Sequence, residues 1–533
     1  MIYFNYIYSD SEVSSVGKRF NISGTCLSDR HYMVDLSSRL EKIGSMVENG
    51  EYFVVNRARQ YGKTTTLWAL RNYLENKYAV ILMSFQRMSQ SVFSSEQSFC
   101  SNFARDFCKV AKALKVEGLN HKAVSELDAL YDTSDVALSS LFDKLSEVCR
   151  TSSKKVVLII DEVDSASNNQ VFVDFLAQLR DQYLYREVTP AFHSVILAGV
   201  YDVRNLKLKL RPEDEHKYNS PWNIAVPFTI DMSFSPEDIS GMLSEYEKDK
   251  STGMNIEYVA QLIYDYTSGY PFLVSRICKL IDETPLSWDE QGVEAAVKEV
   301  LNEQNTLFDD MIKKLNDYPE VSTMLQKVLF EGQPIAYNPD NEVLSICEMF
   351  GFMKQSGQNI VVSNRIFETR LYNYYISKES FNTTYISAAR DKNQFISNGK
   401  LDMDLVMEKF TEHFTQVYGD NDSAFVEEMG RKLFLLYLRP IINGTGNYYI
   451  EAQTRDMQRT DVIVDYLGTQ YIIELKIWRG DEYNQRGEQQ LAGYLDYYKQ
   501  DKGWLLSFNF NKNKTVGVKT IECCGKTIVE AVV

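Results

Sequence analysis

Metal-ligand patterns are scarce in this chain. It has five histidines in 533 residues and no HExxH, which disfavours zinc-dependent hydrolysis. Its eight cysteines stand at positions 26, 100, 108, 149, 278, 347, 523 and 524, with no CxxC. Neither a zinc cage nor a disulfide framework is expected, and a reducing cytoplasm is the compartment that fits. No run of about 18 apolar residues occurs, so no membrane-spanning helix is expected. Met1–Asp10 is aromatic but lacks the basic and long apolar parts of a targeting segment. An excess of positive charge is missing too. The chain carries 57 Lys+Arg against 73 Asp+Glu, a net charge of −16. That excludes a histone-like binder held by bulk charge and leaves room for a local basic groove. Internal repeats and low-complexity tracts are absent.

What is present is an ordinary globular composition, 44% hydrophobic and 24% charged, in a length that suggests three or four domains. Aromatics are abundant, with 34 Tyr and 28 Phe, as expected of large aromatic cores edged by tyrosines. The texture divides the chain into an N-terminal segment 1–17, an α/β region 18–285, a helical region 286–377, a Ser/Asn/Thr/Lys-rich linker 378–400 and a second α/β unit 401–533. In the first α/β region, Tyr52–Val55, Ala79–Phe85, Val156–Ile160 and Ser194–Val200 read as short buried strands between longer helical patterns. That alternation predicts a parallel sheet covered on both faces. The helical region ends in strand, turn and strand over Phe352–Val362, an order similar to a winged helix.

Two motifs carry the chemistry of the first region. Arg57-Ala58-Arg59-Gln60-Tyr61-Gly62-Lys63-Thr64-Thr65 follows a strand and opens a helix, the setting of a phosphate-binding loop. The N–H groups of Gly62, Lys63, Thr64 and Thr65 would wrap phosphates. Lys63 would reach the β- and γ-phosphates of ATP, and Thr64 would ligate Mg²⁺. Arg57 stands where the usual pattern has Gly; a bulkier residue there alters loop closure and leaves nucleotide binding better founded than hydrolysis. About a hundred residues downstream, Val156–Ile160 runs into Asp161-Glu162. Asp161 would hold the Mg²⁺ shell and Glu162 would polarise the attacking water.

With Arg19-Phe20-Asn21, His31-Tyr32-Met33 and Gly50–Val55, this loop resembles that of bacterial and archaeal AAA-like ATPases. Thr267-Ser268-Gly269-Tyr270-Pro271-Phe272 is similar to an element of their small helical part. The resemblance covers residues 18–285 and implies a P-loop NTPase fold with ATP and Mg²⁺ as cofactors and a possible homo-oligomer. No polar sensor is visible in Ala198-Gly199-Val200-Tyr201-Asp202. Arg204 and Arg276 are candidate phosphate sensors, each weighed against an ordinary surface arginine. His31 reads as a packed loop residue rather than a border of the adenine.

The second α/β unit has its own constellation. Asp461 opens a strand, and Glu474-Leu475-Lys476 follows on the next. Glu474 and Lys476, two apart, share a face of their strand. Two carboxylates beside a lysine suit metal-assisted phosphodiester hydrolysis. Together with Gln490 and Tyr494 at helical spacing, the set resembles the PD-(D/E)XK nuclease superfamily over residues 400–515. The resemblance implies Asp461, Glu474, Lys476 and Gln490 as catalytic residues, with Asp461 and Glu474 as ligands of Mg²⁺ or Mn²⁺. It also implies a helical acid, for which Glu427 and Glu428 both qualify, and nucleic acid as partner. Residues 401–533 carry 15 basic and 20 acidic side chains, a balance that weakens tight binding to long duplex. Cys523-Cys524 reads as a pair on a terminal strand, and Tyr372–Tyr375 as a helix face. Three functions stay open: an ATP-controlled nuclease, an ATPase whose second unit only binds nucleic acid, and a nucleotide-gated switch or scaffold.

Overall fold

The computed structural model describes residues 17–166, 169–200, 222–330, 335–379, 394–397, 400–418, 427–442, 446–453, 459–511 and 513–533. Arg204 and most of the 378–400 stretch lie outside them. The chain forms two compact units. One is built from residues up to Met311 with Ile346–Gly351, the other from Ile312–Ser345 and Phe352–Val533. Among the described residues, no helix is long and apolar enough to cross a membrane.

The first unit is organised, among the described residues, by four strands: β1 (Tyr52–Asn56), β2 (Ala79–Ser84), β3 (Val156–Asp161) and β4 (Ser194–Gly199). They pair in parallel in the order β1-β4-β3-β2. Each is an apolar run because both faces are covered. Alternate residues enter different cores. Tyr52, Val54, Ile81, Leu158, Ile160 and Leu197 pack under the helices α2 (Glu96–Ala113), α3 (Leu138–Thr151) and α4 (Gln170–Leu184). Phe53, Val55, Val80, Leu82, Ile159 and Ile196 pack under α1 (Lys63–Leu74) and the helix Ser37–Glu48. The abundance of Phe is spent on the first of these cores, where Phe85, Phe99, Phe103, Phe172 and Phe175 meet ring to ring. Beside β1, Val226 donates its N–H to Tyr52 O at 2.8 Å, extending the sheet by one parallel bridge.

A helical part follows, with helices at Pro236–Lys250, Ile256–Thr267, α5 (Pro271–Glu283) and Glu290–Asn302. The turn before α5 is set by Gly269. Its φ is +72°, and an added Cβ would lie 1.9 Å from Phe234 O. Only glycine accepts both conditions. Phe234 N–H donates to Gly269 O at 2.8 Å, fixing the turn to the segment that leaves the sheet.

The second unit holds a three-stranded sheet in which Ile335–Ala336 joins the hairpin Met353–Ser356/Asn359–Val362. The hairpin lies where the sequence placed it; the third strand is too short to be read from periodicity. Tyr372 and Tyr375 are buried against Phe330, and Tyr372 donates its hydroxyl proton to Leu329 O. They form a packed helix face, as the sequence indicated.

Among the described residues, the unit's main sheet has six strands: β5 (Gly446–Gln453), β6 (Arg459–Tyr466), β7 (Thr469–Ile477), β8 (Lys502–Phe508), β9 (Gly517–Cys523) and β10 (Lys526–Val532). Their order is β5-β6-β7-β8-β10-β9. β5, β6 and β7 form an antiparallel meander; β7, β8 and β10 run parallel. Helices α6 (Met403–Tyr418) and α7 (Glu427–Ile442) precede the meander, and α8 (Asp481–Tyr497) crosses over from β7 to β8. Ile463, Ile472, Leu505 and Ile528 pack against Leu491, Tyr494 and Leu495 of α8. On α7, Gly430 allows close approach to β8: a Cβ there would lie 2.4 Å from the Phe508 ring. Cys523 ends β9, while Cys524 and Gly525, at φ +53° and +76°, make the turn to β10. The cysteine pair thus spans a strand end and a two-residue hairpin turn of the kind that needs positive φ at both positions.

Candidate functional site

Two sites emerge, one in each unit. In the first unit, the loop 57–62 leaves β1 and turns into α1 through Gly62, whose φ of +77° caps the helix. Lys63, almost fully buried, folds back on its own loop and donates to Arg57 O and Ala58 O, both at 2.9 Å. Burial lowers its pKa; the fields of Glu162, Asp164 and Asp161 oppose that only in part. Thr64 donates its hydroxyl proton to Asp161 Oδ2 at 2.7 Å, so the end of β3 and the start of α1 are joined. Burial raises the pKa of both Asp161 and Glu162. Glu162 adopts φ +56°, a left-handed conformation uncommon outside glycine, typical of strained functional turns. Thr65 faces elsewhere than the loop interior: its hydroxyl accepts the Cys26 N–H at 3.1 Å.

Arg57 has partners at the sheet edge. Its guanidinium points out of the loop, donates to Ile230 O at 2.8 Å and Phe228 O at 3.4 Å, and sits 5.2 Å from the Phe228 ring centroid. It straps the segment beyond Val226 to the sheet edge. Tyr270 reaches the loop from the helical part, donating to Arg59 O at 2.5 Å and meeting Tyr61 edge-on at 4.8 Å. Arg276 pairs with Glu303, just past the end of the helix Glu290–Asn302, at 2.5 Å. His31 is buried, and its Nδ1 accepts the Leu27 N–H at 2.9 Å; it is a packed loop residue. Sequence reasoning missed Asp164, whose Oδ2 accepts Val200 N–H at 2.6 Å. A carboxylate from the neighbouring turn therefore lies at the end of β4, where no polar residue of the strand itself stood out.

In the second unit, β6 and β7 pair with Val462 opposite Ile473, so the next residues, Asp461 and Glu474, face each other. Glu474 is fully buried. Its Oε1 lies 2.8 Å from Lys476 Nζ, and its Oε2 has no hydrogen-bond partner among the described residues. Glu427, at the start of α7, places Oε1 3.7 Å from the same Lys476 Nζ. Of the two glutamates the sequence left open, Glu427 is the one paired with Lys476. Burial and the Asp461 charge drive the Glu474 carboxyl well above its usual range and push Glu427 up to about 7. Burial pulls Lys476 down, but Glu474, Asp461 and Glu427 together hold its pKa above the ordinary lysine value. Gln490 donates to the Tyr494 hydroxyl, and Tyr494 is buried on α8 beneath the sheet.

One participant escaped the sequence. Arg431, 3% exposed, donates to Asp461 Oδ1 at 3.0 Å, and Leu475 N–H donates to Asp461 Oδ2 at 2.7 Å. Arg431 follows Glu427 by four residues, so the two share a helix face. That spacing was the available signal. Among the described residues, no three His, Cys, Asp or Glu side chains form a ready metal cage; here the two cations stand among the carboxylates. Glu474 Oε2 still gives the site a buried oxygen lacking a donor, which suits a cation.

A parallel sheet with a phosphate loop after its first strand and an Asp-Glu pair ending its third defines a P-loop nucleotide-binding ATPase. The chain belongs to the AAA-like domain family, which matches residues 27–378. No curated protein matches the chain. Among solved structures it is similar to the Walker-type ATPase PABY2304 of Pyrococcus abyssi. The identity is 12% and the TM-score 0.48, over 66% of this chain and 99% of that one. It is also similar to the Aeropyrum pernix ORC1 protein in complex with DNA, at 12% identity, TM-score 0.30, and 65% and 94% coverage. A RuvB variant of Thermotoga maritima matches at 12% identity, TM-score 0.32, and 63% and 93% coverage.

Proposed function

We propose that this chain is an ATP-hydrolysing AAA-like protein joined to a metal-dependent phosphodiesterase of the PD-(D/E)XK kind that cleaves DNA or RNA. In the first unit, Lys63 exchanges its two loop carbonyls for the β- and γ-phosphates of ATP. The backbone N–H groups of Gly62, Thr64 and Thr65 would line the phosphate path, Thr64 and Asp161 would hold Mg²⁺, and Glu162 would orient the attacking water. The Thr64–Asp161 bond at 2.7 Å supports this division of labour.

The nuclease half is carried by one observation: Asp461, Glu474, Lys476 and Glu427 converge at one end of a helix-meander-helix-strand unit. Asp461 and Glu474, with Glu427 beside them, would hold Mg²⁺ or Mn²⁺. A divalent cation there supplies Lewis-acid polarisation of the phosphate and a more acidic water. Lys476 supplies a fixed positive charge for the oxygen that becomes negative, and Tyr494, held by Gln490, fixes the floor. In the test, purified full-length protein and E474A are incubated with Mn²⁺ and single- or double-stranded DNA and RNA. E474A is expected to lose cleavage by about a thousandfold or more and to keep its ATP affinity. K476A is expected to lose cleavage while still binding Mn²⁺. Equal cleavage by all three removes the nuclease reading.

A second reading has an observation of its own. Both Asp461 oxygens are already engaged, by Arg431 and by Leu475 N–H. If metal never enters, the unit is a nucleic-acid or protein binding module gated by the ATPase.

A further inference from the structure

We propose that Arg431 is a resident competitor of the metal cation: it holds Asp461 in the metal-free site and thereby sets how tightly the site takes metal. The proposal rests on the phosphodiesterase reading above. Its basis is the charge arrangement. Three carboxylates, Asp461, Glu474 and Glu427, meet two cations, Lys476 and Arg431. Lys476 is held by Glu474 at 2.8 Å, with Glu427 at 3.7 Å. Arg431 is held by Asp461 at 3.0 Å. Its guanidinium is permanently charged and fixed in planar geometry.

The carboxylates are therefore largely neutralised before any metal arrives. A divalent cation on Asp461 would sit within a few ångströms of the guanidinium, where burial leaves charge repulsion poorly screened. Either the guanidinium withdraws from Asp461 Oδ1 or both cations share one carboxylate against their mutual repulsion. Both routes weaken metal binding, and both depend on the charge at position 431. Gly430 adds a structural constraint. The chain beside Arg431 lies so close to Phe508 that a Cβ would overlap the ring, so α7 has no room to move closer to β8, and the flexible side chain is the part of Arg431 that yields. Arg431 thus acts as a positioning residue: it keeps Asp461 aimed while the site is empty and gives way when metal binds.

The experiment measures Mn²⁺ affinity by calorimetry and melting temperature on the full chain without nucleotide. The variants are R431M and R431K, with E474Q marking which bound Mn²⁺ belongs to this site. R431M is expected to melt lower than wild type without metal, because Asp461 loses its partner. It should bind Mn²⁺ about ten- to a hundredfold more tightly and gain more melting temperature from Mn²⁺ than wild type does. R431K, whose shorter point charge leaves Asp461 more readily, should bind Mn²⁺ at least about threefold tighter than wild type. It carries the test if R431M does not fold. A merely structural arginine predicts lower stability together with unchanged or weaker Mn²⁺ binding, and that result overturns the competition while leaving the nuclease reading intact. Absence of any E474Q-sensitive Mn²⁺ binding in wild type and both variants overturns the nuclease reading, and the competition with it.

Discussion

Two lysines, the buried Lys63 and the half-buried Lys476, are treated in opposite ways by their units. Lys63 donates to two carbonyls of its own loop, and burial lowers its pKa. Lys476 lies against Glu474 and Glu427, and three carboxylates raise its pKa despite burial. The first lysine is held at a cost that an anionic ligand relieves. The second is already compensated, and beside it Glu474 Oε2 is buried without a donor among the described residues. On the proposed reading, the same side chain marks an anion site in one unit and a cation site in the other. The neighbours decide which.

The sharpest way to break this comparison is to remove each lysine in turn. K476M leaves Glu474 buried beside Asp461 without its partner, and is expected to lose about 3–5 kcal/mol of unfolding free energy for the second unit. K63M removes a buried charge that only carbonyls satisfy, so its nucleotide-free stability should stay within about 1 kcal/mol of wild type. Its ATP affinity should fall about a hundredfold. Denaturant melts and calorimetry on both variants decide the matter. If K63M is the more destabilised of the two, the contrast between the sites is wrong.

A smaller effect sharpens the comparison by touching one unit only. G430A places a Cβ against the Phe508 ring, forcing α7 and β8 apart. Overpacking of this kind costs about 1–3 kcal/mol. Because α7 carries Glu427 and Arg431, Mn²⁺ binding and cleavage should weaken with it, while ATP affinity stays unchanged. A G430A protein with wild-type melting and cleavage would mean that α7 is not held where its glycine puts it.

These sites differ in how much of them could be read from residues alone. The strands of the first unit end within a residue or two of their expected limits, because a strand buried on both faces is an unbroken apolar run. The phosphate loop was legible because its parts are local: strand, turn, glycine, lysine and helix are contiguous. The Glu474-Leu475-Lys476 triplet was legible for the same reason. What escaped was long-range or mixed in pattern. Arg431 meets Asp461 across 30 residues, and only closure of α7 on the meander brings them together. Strands β9 and β10 mix polar and apolar residues around a cysteine turn, and the sequence indicated only one terminal strand there, at the cysteine pair. Helix α6 was absorbed into the start of the second unit. In β10, Glu530 is fully buried, accepts from Asn484 and Ser507, and pairs with Lys519 at 2.8 Å. Nothing in its local sequence separates that carboxylate from an exposed one.

The smallest expected effect concerns Arg57, the residue read from sequence as a disturbance of the phosphate loop. Its guanidinium instead holds Ile230 O and Phe228 O, outside the loop. It lies over the Phe228 ring, which stacks on Phe53 of β1 at 6.0 Å. The arginine thus does at the sheet edge what further strand hydrogen bonds would do, since among the described residues only Val226 bridges to β1 there. R57G restores the usual phosphate-loop residue and removes this strap. Charged hydrogen bonds to carbonyls contribute about 1.5–3 kcal/mol when buried; partial exposure here reduces the expected loss to about 1 kcal/mol. ATP affinity should change less than about threefold, because Lys63, Thr64 and Gly62 are untouched. Lys63 and Arg57 are six residues apart in one loop, yet the first waits for an anion and the second serves the scaffold. A R57G protein of wild-type stability whose ATP affinity shifts tenfold would reverse that assignment and return Arg57 to the phosphate site.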